Sequence, residues 1–245
     1  MDTSRTDTTS LASQLLHSIS GLIEELSIGE ALAALAARFP GQVLFSTSFS
    51  IEDQVIAHHI LDARLPVSIF TLDTGRLFPE TYSVWSSTNE KYGTKVQAYY
   101  PDRQLLERYL DEKGPNAFYE SVANRKECCA IRKVEPLKRA LRGQAVWVTG
   151  LRAEHSPERK DHQPIEWDEG NQVFKYNPLL HWDTTAVREY IDRHDVPYNP
   201  LHDKGFVSIG CQPCTRAIRA GEDFRAGRWW WEDESKKECG LHAAS

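Results

Sequence analysis

Residues 43–53 read Val43-Leu44-Phe45-Ser46-Thr47-Ser48-Phe49-Ser50-Ile51-Glu52-Asp53. A short apolar run breaks into small hydroxyl residues, and helical patterning then continues through Leu61. This is the order strand, small-residue loop, helix. The format recurs at VSIFTLDTG (67–75), where Asp73 stands at the strand end and a helix is predicted near 79–92. KVQAYYP (95–101) and AVWVTGL (145–151) read as further strands. The segments 102–112 and 117–142 read as mostly helical, with Pro136 opening a second segment. Strands alternating with helices predict an α/β fold with a mostly parallel, doubly wound sheet. Ligands of such sheets sit beyond the carboxyl ends of the strands. Here those ends are the segments 46–53, 73–76 and 150–159.

Outward from this frame, residues 11–38 carry a helical pattern that Pro40-Gly41 closes. A hairpin is expected to turn at Gly170-Asn171 and a helix to run over 184–195, ended by Val196-Pro197. The first ten residues read as a disordered polar N-terminus, residues 11–220 as one α/β domain, and 221–245 as a mobile C-terminal tail. The chain has 245 residues, 40% of them apolar, which excludes a wholly disordered protein. No apolar run approaches the roughly 20 residues a membrane helix needs, and the start lacks the pattern of a secretory signal. A cytoplasmic protein with no membrane association is expected. The net charge of −6 argues against bulk binding of nucleic acid. Local clusters of Arg and Lys still suit a small anion.

The five cysteines all lie in the second half, at Cys128, Cys129, Cys211, Cys214 and Cys239. In a reducing compartment such residues serve as ligands or nucleophiles more often than in disulfides. Adjacent side chains on a helix diverge by about 100°. That divergence suits the spread corners of a four-iron cluster better than one small ion. Zinc, and inert buried cysteines, stand as the alternatives. Cys239 is left over, in Lys236-Lys237-Glu238-Cys239-Gly240-Leu241-His242. The neighbouring cations favour a reactive thiolate there, against the alternative of an accidental surface thiol.

The loop from Ser46 through Ser48 to Ser50 can offer backbone N–H groups to a phosphate, or be a plain capped turn. Asp73 and Gly75, in LDTGR, can meet a base or ribose. Gly150 and Arg152 belong to a third loop at the same edge. Arg216, Arg219, Arg225 and Arg228, with Trp229-Trp230-Trp231 after them, form a basic cluster that suits an anion. Lys133, one helical turn beyond Cys129, can serve the same anion.

Taken in order, Lys126-Glu127-Cys128-Cys129, Cys211-x-x-Cys214, Gly227-Arg228-Trp229-Trp230-Trp231-Glu232 and Glu238-Cys239-Gly240-Leu241-His242 resemble the assimilatory adenylylsulfate (APS) reductases, of the APS/PAPS reductase family. LDTGR (72–76) and the stretch from Thr149 to Arg159 fit the same pattern, so that the resemblance spans roughly 43–242. It implies a sheet of the adenine nucleotide hydrolase-like type. It implies one 4Fe-4S cluster on Cys128, Cys129, Cys211 and Cys214, and Cys239 as the nucleophile. Lys133, Arg225, Arg228 and His242 match positions around the phosphosulfate. The implied reaction reduces APS to sulfite and AMP through an S-sulfonate on Cys239, with thioredoxin or glutaredoxin as the reductant. Phe78 and Ala153 depart from the family's usual His and Arg. PAPS reduction, and a non-catalytic cluster or zinc redox sensor, are the competing readings. A homo-oligomer is expected from the closed symmetry usual among enzymes.

Overall fold

The computed structural model describes residues 3–156, Arg159 and 161–232, with side chains from Ala12 onward. Cys239 and His242 lie outside the described residues. The chain opens with helices α1 (Thr3–Ile23) and α2 (Ile28–Arg38). Then follow β1 (Val43–Thr47), α3 (Ile51–Asp62), β2 (Ser68–Leu72), α4 (Pro79–Tyr92), β3 (Gln97–Tyr99) and α5 (Arg103–Lys113). After these come α6 (Val122–Cys129), α7 (Glu135–Leu141), β4 (Val146–Val148), β5 (Ile165–Asp168), β6 (Val173–Tyr176) and α8 (Thr184–Arg193).

The six strands form one sheet in the order β3-β2-β1-β4-β6-β5. Every pairing is parallel except β5 with β6, the expected hairpin. The chain moves outward from β1 through β2 to β3, then crosses back to place β4 on the other side of β1. That reversal opens a crevice between β1 and β4.

Alternation along the strands assigns the two faces of the sheet. Val43, Phe45, Val146 and Val148 bury one way, with residues of α1, α2, α3 and α8. Leu44 and Trp147 bury the other way, with Leu137, Ala140 and Leu141 of α7. Covering on both faces is why β1 starts as a continuous apolar run instead of an alternating one.

Four local expectations are corrected. The N-terminal residues are helical from Thr3 instead of forming a disordered tail. The single pattern over 11–38 is two helices, because Ser27 and Glu30 form a reciprocal capping box that starts α2. The helical stretch 117–142 is interrupted: residues Ala130–Val134 are π-helical, and the Glu135 N–H bonds back to the Ala130 carbonyl. This widened turn directly follows the cysteine pair and carries Arg132 and Lys133.

The fourth correction concerns residues 221–232, expected within the mobile tail. They are packed against the body instead. Thr215 and Arg228 form a β-bridge. The Arg216 N–H donates to the Gly227 carbonyl and the Trp229 N–H to the Cys214 carbonyl. Trp229 is fully buried. The close approach requires a glycine at 227, where a Cβ would lie 2.3 Å from the Arg216 carbonyl oxygen. We expect Gly227→Ala to destabilise the protein by about 1–3 kcal/mol, because backbone must move to admit the methyl group. Urea unfolding checks this, and an unchanged midpoint would contradict the close packing.

Candidate active site

A cavity of about 190 Å³ lies at the carboxyl ends of β1, β2 and β4. Its floor is the loop after β1. Phe49 there has φ 58° and is buried, its ring stacked on Trp85 at 5.6 Å. Three amides of this loop and the helix start after it are bonded within the protein. The Ser48 N–H donates to Asp53 Oδ2 at 2.6 Å, the Phe49 N–H to Thr47 Oγ1, and the Ile51 N–H to His202 Nε2. Burial holds His202 neutral, lowered to about 4, so its ring nitrogen can accept. The Ser48 hydroxyl is also bonded, to Asp53 Oδ2 at 2.7 Å and to Ser50 Oγ at 2.7 Å. Ser46 Oγ accepts from Trp147 Nε1 at 2.8 Å, which leaves the serine proton for another acceptor.

Two carboxyl groups line the same floor. The Asp53 carboxyl is pushed up to about 7, first by burial and then by the neighbouring Glu52. Burial raises Glu52 as well, with Arg152 and Arg159 opposing. Gly150, at the end of β4, fits against this pair so closely that a Cβ would lie 2.0 Å from Asp53 Oδ1.

The opposite wall is cationic. Lys133, Arg159, Arg225 and Arg228 line it, together with His155. Arg228 lies over the Trp229 ring at 5.0 Å and donates to Ser208 Oγ at 3.2 Å. Its guanidinium rests on Gly210, where a Cβ would come within 2.3 Å of Nη2. Arg225 approaches the same indole at 5.7 Å. His155 stacks on Phe224 at 4.1 Å. Its pKa is lowered to about 2 by burial and then by the charges of Arg152, Arg159 and Arg225. Such a concentration of positive charge in a secluded wall suits an anion.

Beside this wall is a second, smaller cavity lined by Cys128, Cys129, Cys211 and Cys214, with Arg76, Arg125, Arg132 and Lys133 around them. All four thiols are free of disulfides. Thr74 Oγ1 lies 3.3 Å from Cys211 Sγ. Burial pushes Cys128 up, and burial with the adjacent Cys211 pushes Cys214 up to about 12. Four soft donors at one cavity, ringed by cations that would offset thiolate charge, suit a thiolate-held metal or iron–sulfur group. Lys133 lines both cavities.

Of the residues singled out from sequence, Ser46, Ser48, Lys133, Gly150, Arg225 and Arg228 line the larger cavity, and the four cysteines line the smaller. Asp73, Gly75 and Arg152 line neither. Asp73 Oδ1 accepts from the Gly75 N–H and from Tyr82 Oη, fixing the turn in which Gly75 has φ 70°. That turn aims the Thr74 carbonyl at Arg132 Nη1, 2.6 Å away. Arg152 is buried and donates to Glu154, to the Trp182 carbonyl and to Thr184. It ties the loop to α8. Phe78 is a core residue packed edge-on against Phe206. Glu52, Asp53, His155 and Arg159 fall in the strand-end segments 46–53 and 150–159, which the sequence marks as ligand-facing without giving any of the four a role of its own. Their signal was position alone.

Residues 42–217 match the family model of the phosphoadenosine phosphosulfate reductase domain. The chain belongs to this family. It is 47% identical to an adenosine 5'-phosphosulfate reductase of Burkholderia cepacia over 96% of this chain and 92% of that one. It is 52% identical to one of Allochromatium vinosum over 82% and 78%. Among solved structures, a phosphoadenylyl-sulfate reductase of Candida auris in complex with phosphate superposes with a TM-score of 0.69 at 28% identity, covering 83% of this chain and 96% of that one. An FMN adenylyltransferase of Candida glabrata, at 17% identity and TM-score 0.51, covers 95% and 86% and shares the fold. This reductase-family member thus carries its cavity at the switch point of a nucleotide-type sheet.

The raised Asp53 pKa sets the sign of a pH effect. The native state holds the proton up to about pH 7, whereas the unfolded state releases it near 3.8. Between these values the native state binds more protons, so stability falls as pH rises. The penalty is absent below the lower value and complete above the upper. We expect Asp53→Asn to remove this slope, so that the variant gains on the wild type between pH 4 and pH 8. Melting both proteins across this range checks it, and parallel curves would contradict it.

Proposed function

We propose that the protein reduces APS to sulfite and AMP in sulfate assimilation, with thioredoxin as reductant and Cys239 as nucleophile. The observation that carries this reading is the shared cationic wall. Lys133, Arg225 and Arg228 face a cavity at strand ends that suit a nucleotide, and Lys133 also borders the four cysteines. The adenosine portion would occupy the β1–β4 crevice, and the phosphosulfate would meet the cations.

In this reading the Cys239 thiolate attacks the sulfur of the sulfate group. The S–O bond to the phosphate breaks, and AMP leaves with the electron pair. Lys133, Arg225 and Arg228 stabilise the charge that develops on the departing phosphate oxygen. His242, three residues beyond Cys239, would join them. Ser46 and Ser48 orient the nucleotide, with Gly150 admitting the Asp53 and Glu52 side chains at the strand end. The enzyme then holds an S-sulfonate. A thioredoxin thiolate attacks Cys239 Sγ, and sulfite leaves with the electron pair of the S–S bond. The partner's second thiol resolves the mixed disulfide, so the partner is oxidised and Cys239 is restored. Glutaredoxin can supply the same two thiols.

Cys128, Cys129, Cys211 and Cys214 would hold one 4Fe-4S cluster. Bound there, it would supply structural cross-linking and local charge. Free thiols and a dithiol reductant fit a reducing compartment, the cytoplasm. Among the described residues, no helix is long and apolar enough to cross a membrane. The substrate alternative is PAPS, favoured by the family model and by the likeness to the Candida auris enzyme.

Turnover with thioredoxin on each nucleotide tests the reading. We expect sulfite from APS in preference to PAPS, and the reverse preference would replace the substrate. Cys239→Ser should abolish sulfite release while AMP binding and visible absorption persist. Retained turnover in that variant would remove Cys239 from the mechanism. Lys133→Ala should lower kcat by about 10²–10³-fold, the range for losing one donor to developing charge. Cys211→Ser should lose the visible absorption, and a colourless zinc-bound wild type would overturn the cluster.

A further inference from the structure

A row of side chains crosses the sheet and ends at the floor of the larger cavity. Trp147 of β4 is level with Leu44 of β1 on one side and with Lys175 of β6 on the other. Lys175 in turn is level with Glu166 of β5. Partners in register share a face, and Ser46, two residues beyond Leu44, shares it as well. This is the face covered by α7, where Trp147 packs with Leu137, Ala140 and Leu141.

The polar members of the row are linked in turn. His162 Nδ1 lies 2.8 Å from Glu166 Oε1, and Lys175 Nζ lies 3.0 Å from the same oxygen. The Lys175 ammonium is 5.9 Å from the centroid of the Trp147 ring. Trp147 Nε1 then reaches Ser46 Oγ at 2.8 Å. Trp147 and Lys175 are both buried. An indole can only donate, so the polarity of the last bond is fixed. Ser46 must accept there, and among the described residues its own proton has no acceptor.

The surroundings of that proton suit a flat heteroaromatic ring. Ser46, Leu72, Leu137 and Trp147 line the cavity together, apolar apart from the one hydroxyl. Lys133, Arg225 and Arg228 line the opposite wall, which suits the anionic end of the same ligand.

We propose that Trp147 is a positioning residue for the purine base. By donating to Ser46 Oγ it turns the serine proton into the cavity, where the hydroxyl donates to a ring nitrogen of the base. Lys175 backs the indole from the neighbouring strand. The inference deepens the reading of the β1–β4 crevice as the adenosine site and rests on it. Ser46 becomes a reader of acceptor atoms, and Trp147 acts through it.

The test uses the full-length, cluster-loaded enzyme. Dissociation constants are measured for AMP and for 1-deaza-AMP, 3-deaza-AMP and 7-deaza-AMP, each of which replaces one ring nitrogen by C–H. We expect the wild type to bind one of these analogues about 3–10-fold more weakly than AMP, the range for one net hydrogen bond. Ser46→Ala should bind AMP and that analogue within about twofold of each other, because the reading group is gone. Trp147→Phe keeps a ring in the core but frees the serine proton to turn away. Its ratio of AMP to analogue affinity should shrink to about twofold or less. Lys175→Met serves where Trp147→Phe folds poorly. Glu166 keeps His162 as a partner in that variant, so no charge is stranded. Its ratio should narrow by about twofold or more, the range for one cation–π contact.

If the wild type does not bind AMP, the reading of the crevice fails and the role of Trp147 falls with it. If AMP binds but all three analogues bind as well, the crevice reading stands and the proposal is overturned. An unchanged ratio in Trp147→Phe, or in Lys175→Met where that variant serves, also overturns it. So does an equal weakening of AMP and analogue with the ratio kept, which is what a merely structural tryptophan would give.

Discussion

Charge balance in one corner of the molecule constrains everything built around it. Arg125, Arg132, Arg225 and Arg228 are all buried there, beside Lys133 and four free thiols. A buried cation needs an anionic or hydrogen-bonding partner, and a buried thiolate needs a cation or a metal. Some of this demand is met internally, by Glu232 for Arg125 and by the Thr74 carbonyl for Arg132. The lining of the larger cavity suits an anion, and that of the smaller suits a thiolate-held centre. The cysteine cavity and the anion wall are thus two sides of one electrostatic arrangement, with Lys133 between them.

The fold delivers this arrangement by bringing distant segments to one edge of the sheet. Reversal of strand order between β1 and β4 opens the crevice. The π-helical turn after Cys129 changes the angular placement of Arg132 and Lys133 relative to a regular helix, and π-bulges of this kind recur at functional sites. The segment 225–232 then closes the corner, with the Trp229 ring as a platform for Arg125, Arg225 and Arg228. Cation–π contacts of this type hold guanidiniums in place while leaving their N–H groups for other acceptors.

The β1–α3 unit, the hairpin at Gly170-Asn171 and the strand-end location of the cavity were legible because each depends on local patterning. The capping box that divides α1 from α2 was also present, as Ser27 and Glu30, but the surrounding apolar periodicity runs through it. The docking of 221–232 was not legible. Its polar, Gly- and Trp-rich sequence lacks any helix or strand period, and its order comes from partners such as Arg125 and Cys214, far away in the chain. The same limit explains Asp73, Gly75 and Arg152. Their residue types suit ligand contact, whereas in the fold Asp73 Oδ1 holds Tyr82 and the Gly75 turn, and Arg152 holds Glu154, Trp182 and α8. Asp53 shows the converse. In sequence it is an ordinary acid in the first turn of a helix, and only burial against Glu52 and Gly150 makes it unusual.

In the proposed reading the cationic wall serves transfer of a sulfonate to Cys239, the fifth cysteine of the sequence beside the four that line the smaller cavity. Peptide mass spectrometry tests it most directly, on wild-type enzyme mixed with one equivalent of APS and no reductant. The account predicts one added sulfonate on the peptide containing Cys239, released as sulfite when thioredoxin is supplied. A sulfonate on Cys128, Cys129, Cys211 or Cys214, or none on any cysteine while AMP accumulates, would contradict it.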